Sequence, residues 1–292
     1  MRMHVDEVEI EPALVRRLVA TQFPDWAGLP IEPVRFFGTD NAIYRLGDEL
    51  AVRLPRREKN VETLAKELRW LPELAPHLPV PIPAPVAAGE PGSGYPFQWA
   101  VYRWVAGEAP ANEAVGADEL AAFIAALQRI DPSGGPPPGA HNANRGEPLV
   151  RRDPPVRAAL TTLGSTLDGA AVTAVWEESL AAPAWSGAPV WIHGDLDARN
   201  VLVRDSRLCG VIDFGCLGVG DPACDVMVAW KLFSAGTRES FRAALAVDDA
   251  TWNRARGWAL SQALVALSYY TEENNPVLVR EARRWLAEAL AD

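Results

Sequence analysis

Two short runs of chemistry-bearing residues, joined by a spacer of hairpin length, constrain this chain more than anything else in it. The first is His193-Gly194-Asp195-Leu196-Asp197-Ala198-Arg199-Asn200. Thirteen residues after Asn200 comes Asp213, in Ile212-Asp213-Phe214-Gly215. Between them, Asn200-Val201-Leu202-Val203-Arg204 is β-branched and alternating, Asp205-Ser206 signals a turn, and Arg207 to Ile212 reads as a second strand. A two-stranded ribbon closed by a tight turn has both its open ends on one side, so Asn200 and Asp213 are expected at the same end of one hairpin.

Written out, the runs are H-G-D-L-x-x-x-N and then D-F-G. Phosphoryl transfer from a nucleotide needs an acceptor for the alcohol proton and oxygen-rich groups that hold magnesium against the phosphates. Asp195 suits the first task; Asn200 and Asp213 suit the second. An amide oxygen and a carboxylate are the hard ligands that magnesium prefers. The pair of motifs resembles the kinase superfamily, and the details select a branch. Gly194 stands where protein kinases usually carry Arg, and Gly220-Asp221-Pro222-Ala223-Cys224-Asp225 follows as G-D-P-x-x-D. In these features the chain is similar to the aminoglycoside phosphotransferase family, from about Phe36 to its end. It has no A-P-E and no room for a long activation loop, the platform on which protein kinases hold a peptide, which argues for a small acceptor.

The resemblance implies an α+β, bilobal, protein-kinase-like fold, with a β-rich lobe over residues 1–105 and a mostly helical lobe over 106–292. It implies a kinase with an alcohol group as acceptor, ATP or GTP as donor, and Mg2+. The acceptor is expected to be a small hydroxylated molecule, first an aminoglycoside-type antibiotic; a macrolide or a metabolite is the alternative. A catalytically silent nucleotide-binding module is a further alternative, motivated by Arg53. That residue, in Ala51-Val52-Arg53-Leu54, occupies the strand position that should pair with nucleotide phosphates, where most kinases have Lys. Arg can clamp phosphate bidentately, but its fork needs more room.

The remaining site candidates follow the same resemblance. Gly38-Thr39-Asp40-Asn41 sits between two strands and is either a phosphate-covering loop, with Thr39 and Asn41 facing the nucleotide, or a plain turn. Glu67 is the first choice to pair with Arg53 and Glu62 the second; the competing role for Glu67 is a solvated helix face. Tyr102 to Val105 matches the linker between lobes, where backbone groups of Arg103 and Val105 would meet the purine edge. On the acceptor side Arg199 either neutralises the moving phosphoryl group or pairs with Asp197, and the pairing is favoured. His193 is expected to hold the loop, Asp221 to cap a helix, and Asp225 is a candidate to fix the loop. Tyr269-Tyr270-Thr271-Glu272-Glu273 is either an ordinary polar helix end or, through Tyr270, Glu272 and Glu273, a grip on a polyamine sugar.

Periodicity gives the rest of the framework. Glu11 to Gln22 reads as an amphipathic helix with Pro12 in its first turn. Strands are expected at Val34–Phe37, Ala42–Leu46 and Leu50–Leu54, then a helix from Val61 to Leu71 capped by Asn60, a stiff Pro-rich connector at Leu78–Pro83, and strands at Ala87–Gly89 and Phe97–Val105. Beyond Gly107 helices dominate: Ala117 to Ile130, Asp168 (as cap) to Ala181, Pro222 to Phe233, Arg238 to Ala246, Ala250 to Tyr270 and Pro276 to Leu290. Asp131 to Pro155 reads as a Pro/Gly-rich connector. Trp230, Trp252 and Trp258 are expected in the core.

Composition excludes some functions. A chain of 292 residues with formal net charge -10 lacks the basic footprint of a nucleic-acid binder. No stretch is long enough to span a bilayer, the N-terminus has no apolar signal region, and Cys209, Cys216 and Cys224 match no zinc spacing, so free thiols in a reducing cytoplasm are expected. Either a monomer or a homodimer is compatible with the sequence.

Overall fold

The computed structural model describes residues 7–34, 40–110 and 115–291. The chain forms two compact units: Met1–Gly107 together with Gly210–Gly215, and Glu108–Cys209 together with Cys216–Asp292.

In the first unit α1 (Pro12–Gln22) starts on a proline, whose missing N–H costs nothing in a first turn. It buries Leu14, Val15, Leu18 and Val19, a one-sided stripe, against a sheet. That sheet is built from β1 (Ile31–Pro33), β2 (Asn41–Leu46), β3 (Leu50–Pro55), β4 (Pro85–Gly89) and β5 (Trp99–Arg103), in the order β1-β2-β3-β5-β4, with antiparallel neighbours. Tyr44, Leu46, Val52, Leu54, Trp99 and Val101 complete the core under α1. Of the expected first strand at Val34–Phe37 only Val34 is among the described residues; its N–H pairs with Ile43 C=O at 3.0 Å, and β1 precedes it. Between β3 and β4, α2 (Val61–Leu74) buries Leu64, Glu67, Leu71 and Leu74 on one face. Asn60 does not cap it with its side-chain oxygen. A short 3-10 turn leads into α2, and the Asn60 amide instead donates to the Asp40 carbonyl at 2.6 Å.

The second unit is mainly helical: α3 (Ala117–Arg129), α4 (Asp153–Leu163), α5 (Gly169–Ala181), α6 (Ala223–Val226), α7 (Val228–Leu232), α8 (Ala235–Leu245), α9 (Asp249–Tyr269) and α10 (Pro276–Leu290). Asp168 caps α5 by accepting from Ala170 and Ala171 N–H, and Asn275 caps α10 by accepting from Leu278 N–H. α9 is buried on nearly all sides from Thr251 to Leu264, packed among α4, α5, α6 and α10. Two short antiparallel ribbons interrupt the helices. In one, β6 (Val190–Ile192) pairs with β9 (Gly218–Gly220); in the other, β7 (Val201–Arg204) pairs with β8 (Arg207–Val211). Asp205 and Ser206, at φ 52° and 59°, make the two-residue turn between β7 and β8, the left-handed pair that matches strand twist.

Two expectations are corrected here. The Pro-rich connector ends at Asp153, where α4 begins; Pro154 and Pro155 fall in its first turn, the one place a helix accepts them. The helix expected from Pro222 to Phe233 is broken at Met227 into α6 and α7, where Trp230 N–H turns back to Met227 C=O in a tightened three-residue bond.

The sheet with its two helices and the helical remainder make the protein α+β, as the motifs implied. Residues 210–215 count with the sheet unit although they follow the helical stretch in sequence. Val211 N–H bonds Pro81 C=O at 3.2 Å, and Lys66 Nζ donates to Gly215 C=O at 2.9 Å.

Candidate active site

In the sheet unit, β3 carries Arg53 and α2 carries Glu67. The Arg53 Nη1 donates to Glu67 Oε2 at 2.7 Å, and the Tyr102 hydroxyl on β5 donates to the same oxygen at 3.0 Å. Glu62 is not the partner. Glu67 is wholly buried, so an unpaired charge there would be costly. The other edge of the Arg53 fork faces two more candidates. Nη2 lies 3.5 Å from Asp213 Oδ1. With its amide turned to satisfy both ends, Asn41 accepts from Arg53 Nε at 3.2 Å and from Nη2 at 2.9 Å. Burial opposes the guanidinium charge, but Glu67 and then Asp213 more than offset it and hold the Arg53 pKa above its ordinary range. Burial likewise pushes the Tyr102 phenol well up, with Glu67 adding to it. Asp213 sits at φ 62°, a left-handed conformation uncommon for a residue other than glycine, and its carboxylate is half exposed. Asn41, Glu67 and Asp213 are thus gathered around one cation, Arg53.

Farther along the sheet unit, the strand-end candidates divide. Arg103 N–H is committed to Ala84 C=O at 2.8 Å, and Trp104 N–H to Glu49 C=O at 2.7 Å, so of the backbone groups expected at a purine edge the Arg103 N–H is already spent inside the sheet. It is still inside the sheet, paired on both sides. Val105 lies beyond the ladder. Thr39 lies outside the described residues.

In the helical unit, the loop after β6 carries Asp195. Its path is fixed by a buried carboxylate: Asp225 on α6 accepts His193 N–H and Gly194 N–H, each at 2.7 Å. Burial raises the Asp225 pKa, against the pull of His193 and these two donors. His193 is itself buried, and its Nδ1 accepts Asp195 N–H at 3.2 Å. Gly194 is required, since it sits at φ 83° and an added Cβ would lie 2.5 Å from the Cys216 carbonyl oxygen. Asn200 closes the loop by donating its amide N–H to the Asp195 carbonyl at 2.8 Å, which points its side-chain oxygen the other way.

Asp197 turns inward. It accepts from Arg199 N–H at 2.8 Å, Nε at 3.1 Å and Nη2 at 2.5 Å, and its Oδ2 lies 3.5 Å from Lys231 Nζ. Burial works against its charge, but Lys231 and Arg199 outweigh it and hold its pKa down to about 2. With its oxygens taken, Asp197 supports the loop rather than offering a free carboxylate to a substrate. Asp221 does more than cap: besides accepting Ala223 N–H at 3.0 Å, it is gripped by Arg254 of α9, Nε to Oδ2 at 2.8 Å and Nη2 to Oδ1 at 3.1 Å.

Two cations beside Asp195 have no part in the motifs. Arg145 Nη2 lies 3.8 Å and Lys231 Nζ 3.9 Å from Asp195 Oδ1. Lys231 had a signal in the sequence, a charge inside the apolar run Val226–Phe233; a buried lysine implies a partner. Arg145, inside a Pro/Gly-rich segment, had none.

Tyr270, Glu272 and Glu273 stand apart from this loop. Tyr270 ends α9 and meets Tyr269 edge-on at 4.9 Å, and Glu272 bonds Arg283 Nη1 at 2.5 Å. Gln262, which accepts from Lys231 Nζ at 3.2 Å, is eight residues before Tyr270, roughly 12 Å along the helix. Among the described residues no group of three or more His, Cys, Asp or Glu is arranged as a metal cage, and no helix is long and apolar enough to cross a membrane. Among the described residues no disulfide joins Cys209, Cys216 and Cys224, and Cys224 is buried.

Comparison with known proteins adds the following. A family model described as a phosphotransferase enzyme family matches residues 33–258. No curated protein matches significantly. Several solved structures share the fold at low identity. A GDP complex of wild-type aminoglycoside 2'-phosphotransferase-IIIa has TM-score 0.74 at 21% identity, covering 97% of this chain and 99% of that one. A GDP and kanamycin complex of an APH(2'') protein has TM-score 0.73 at 21% identity, covering 95% and 98%. Macrolide 2'-phosphotransferase MphH from Brachybacterium faecium has TM-score 0.63 at 23% identity, covering 96% of each chain.

Proposed function

The chain belongs to the phosphotransferase enzyme family, and on that premise we propose that it moves the terminal phosphoryl group of ATP or GTP to a hydroxyl of a small molecule, first an aminoglycoside-type antibiotic. Asp195 receives the acceptor's proton. Because the transition state of such a transfer is loose, alignment and charge placement contribute more than strong base catalysis. The observation that carries the reading is how the Asp195 loop is held: two backbone N–H groups donate to Asp225, and the Asn200 amide donates to the Asp195 carbonyl.

Asn200 and Asp213 are the proposed magnesium ligands, and their chemistry fits a hard cation. The Asn200 N–H is already spent on the Asp195 carbonyl, which leaves its oxygen as the ligand, and the Asp213 carboxylate is half exposed. When bound, magnesium neutralises charge on the phosphate oxygens. Arg53, anchored by Glu67, is the proposed phosphate clamp; phosphates would compete with Asn41 and Asp213 for its Nε–Nη2 edge. The Val105 backbone is the proposed contact for the purine edge, and Tyr270, Glu272 and Glu273 are candidates for the amines of the acceptor.

The acceptor class rests on likeness to proteins whose structures carry kanamycin or that are described as macrolide phosphotransferases. A macrolide acceptor is therefore the second reading. The test is nucleotide-dependent gain of one phosphoryl group, read by mass spectrometry over aminoglycosides, macrolides and hydroxylated metabolites, with ATP and GTP in parallel. The expected result is turnover on at least one acceptor, abolished in a folded Asp195→Ala variant. Near-normal turnover in that variant removes Asp195 from the mechanism. Tight MgATP binding with no turnover across the panel favours the silent module instead.

A further inference from the structure

Lys231 is wholly buried on α7, in a helix whose other residues, Val228, Ala229, Trp230 and Leu232, are buried and apolar. Removing an ammonium from water costs several kcal/mol, and a buried ion pair is poor value for stability alone, since a well-packed apolar side chain does as well. Asp197 is met by Arg199 with three donors as well as by this lysine. What Lys231 adds is a link between carboxylates: Nζ lies 3.5 Å from Asp197 Oδ2 and 3.9 Å from Asp195 Oδ1. It is held there on two other sides. Gln262 of α9 accepts from Nζ at 3.2 Å, and the Trp285 ring of α10 lies under it, 4.5 Å to the centroid. Arg145 approaches the same Asp195 oxygen at 3.8 Å.

The geometry points to Lys231 as a positioning residue for the reaction: from three helices behind the loop, it holds Asp195 by Oδ1 and so turns Oδ2 toward the acceptor hydroxyl. This rests on the reading that Asp195 receives the acceptor's proton. The arrangement gives the carboxylate two unequal oxygens, one facing the two cations and one left for chemistry. A residue acting this way governs the alignment of the acceptor with the phosphoryl group and leaves the binding of either substrate alone. An angstrom of misplacement at such a point lowers rate by up to about a hundredfold.

The experiment compares wild type, Lys231→Met and Asp195→Ala by steady-state kinetics on an acceptor identified in the panel, with urea midpoints for each. Lys231→Met keeps the length and removes the charge. Its kcat is expected to fall roughly ten- to a hundredfold with KM for nucleotide and acceptor within about twofold of wild type. A folded Lys231→Met with wild-type kcat, or with a loss confined to KM, overturns the inference when Asp195→Ala is inactive. An active Asp195→Ala instead overturns the reading on which the inference rests. If Lys231→Met does not fold, Lys231→Gln, which can still bond Gln262, is read by the same criteria.

Discussion

Asp225→Asn is the sharpest probe of the loop, because it changes one atom and no volume. In the native arrangement each carboxylate oxygen accepts one backbone N–H, from His193 and Gly194, at 2.7 Å. An amide can accept only one of them; its NH2 would face the other donor. The substitution therefore loses one charge-assisted bond, worth about 1.5–3 kcal/mol, and leaves a backbone N–H unpaired in a fully buried place. The expected destabilisation is about 2–4 kcal/mol, read by urea denaturation followed through tryptophan fluorescence. Relief comes only by rotating or shifting the His193–Gly194 peptide, which carries Asp195 with it. A shift on the order of 1 Å lowers kcat up to about a hundredfold. The two readouts should move together. A variant within about 0.5 kcal/mol of wild type, with unchanged kcat, would refute the claim that Asp225 sets the loop.

Three other outcomes follow from the same geometry. Gly194→Ala must place a Cβ 2.5 Å from the Cys216 carbonyl in a left-handed backbone, so it should destabilise by about 2–4 kcal/mol in denaturation and cost activity; a neutral result would mean the loop relaxes freely. Arg53→Met strands the wholly buried Glu67 charge, with an expected loss of about 3–5 kcal/mol, partly recovered in Arg53→Met/Glu67→Gln; a single variant as stable as wild type would show that Glu67 finds another partner. The Asp197 carboxyl, held down to about 2 against an unfolded value of about 3.9, contributes roughly 2–3 kcal/mol that is present above pH 4 and lost as pH falls through 2. Arg199→Met should shrink that acid-side loss, measured as stability against pH, and an unchanged acid limb would refute the assignment.

The elements that were legible in the sequence are those written in short-range pattern. The β7–β8 hairpin follows from β-branched alternation around Asp205-Ser206, and α1, α3, α5, α9 and α10 follow from periodicity and from caps such as Asp168 and Asn275. α4 was hidden because prolines read as breakers unless they fall in a first turn, and the break at Met227 has no sequence mark. Asn60 looked like a cap because its type caps; its amide was drawn instead to a carbonyl twenty residues away.

The candidate site divides along the same line. The motif alone named Asp195, Asn200 and Asp213, and the pairing of Arg53 with Glu67 was one of the arrangements open to a strand followed by a helix. Tertiary structure alone decided that Asp197 is internal, that Arg254 grips Asp221, that Arg145 and Lys231 flank Asp195, and that residues 210–215 join the sheet unit. Local spacing fixes which groups share a turn or a hairpin, because backbone geometry repeats over a few residues. Which distant cation meets a given carboxylate is set by how buried helices pack, and that is settled only when water is excluded and every charge left inside must find a partner.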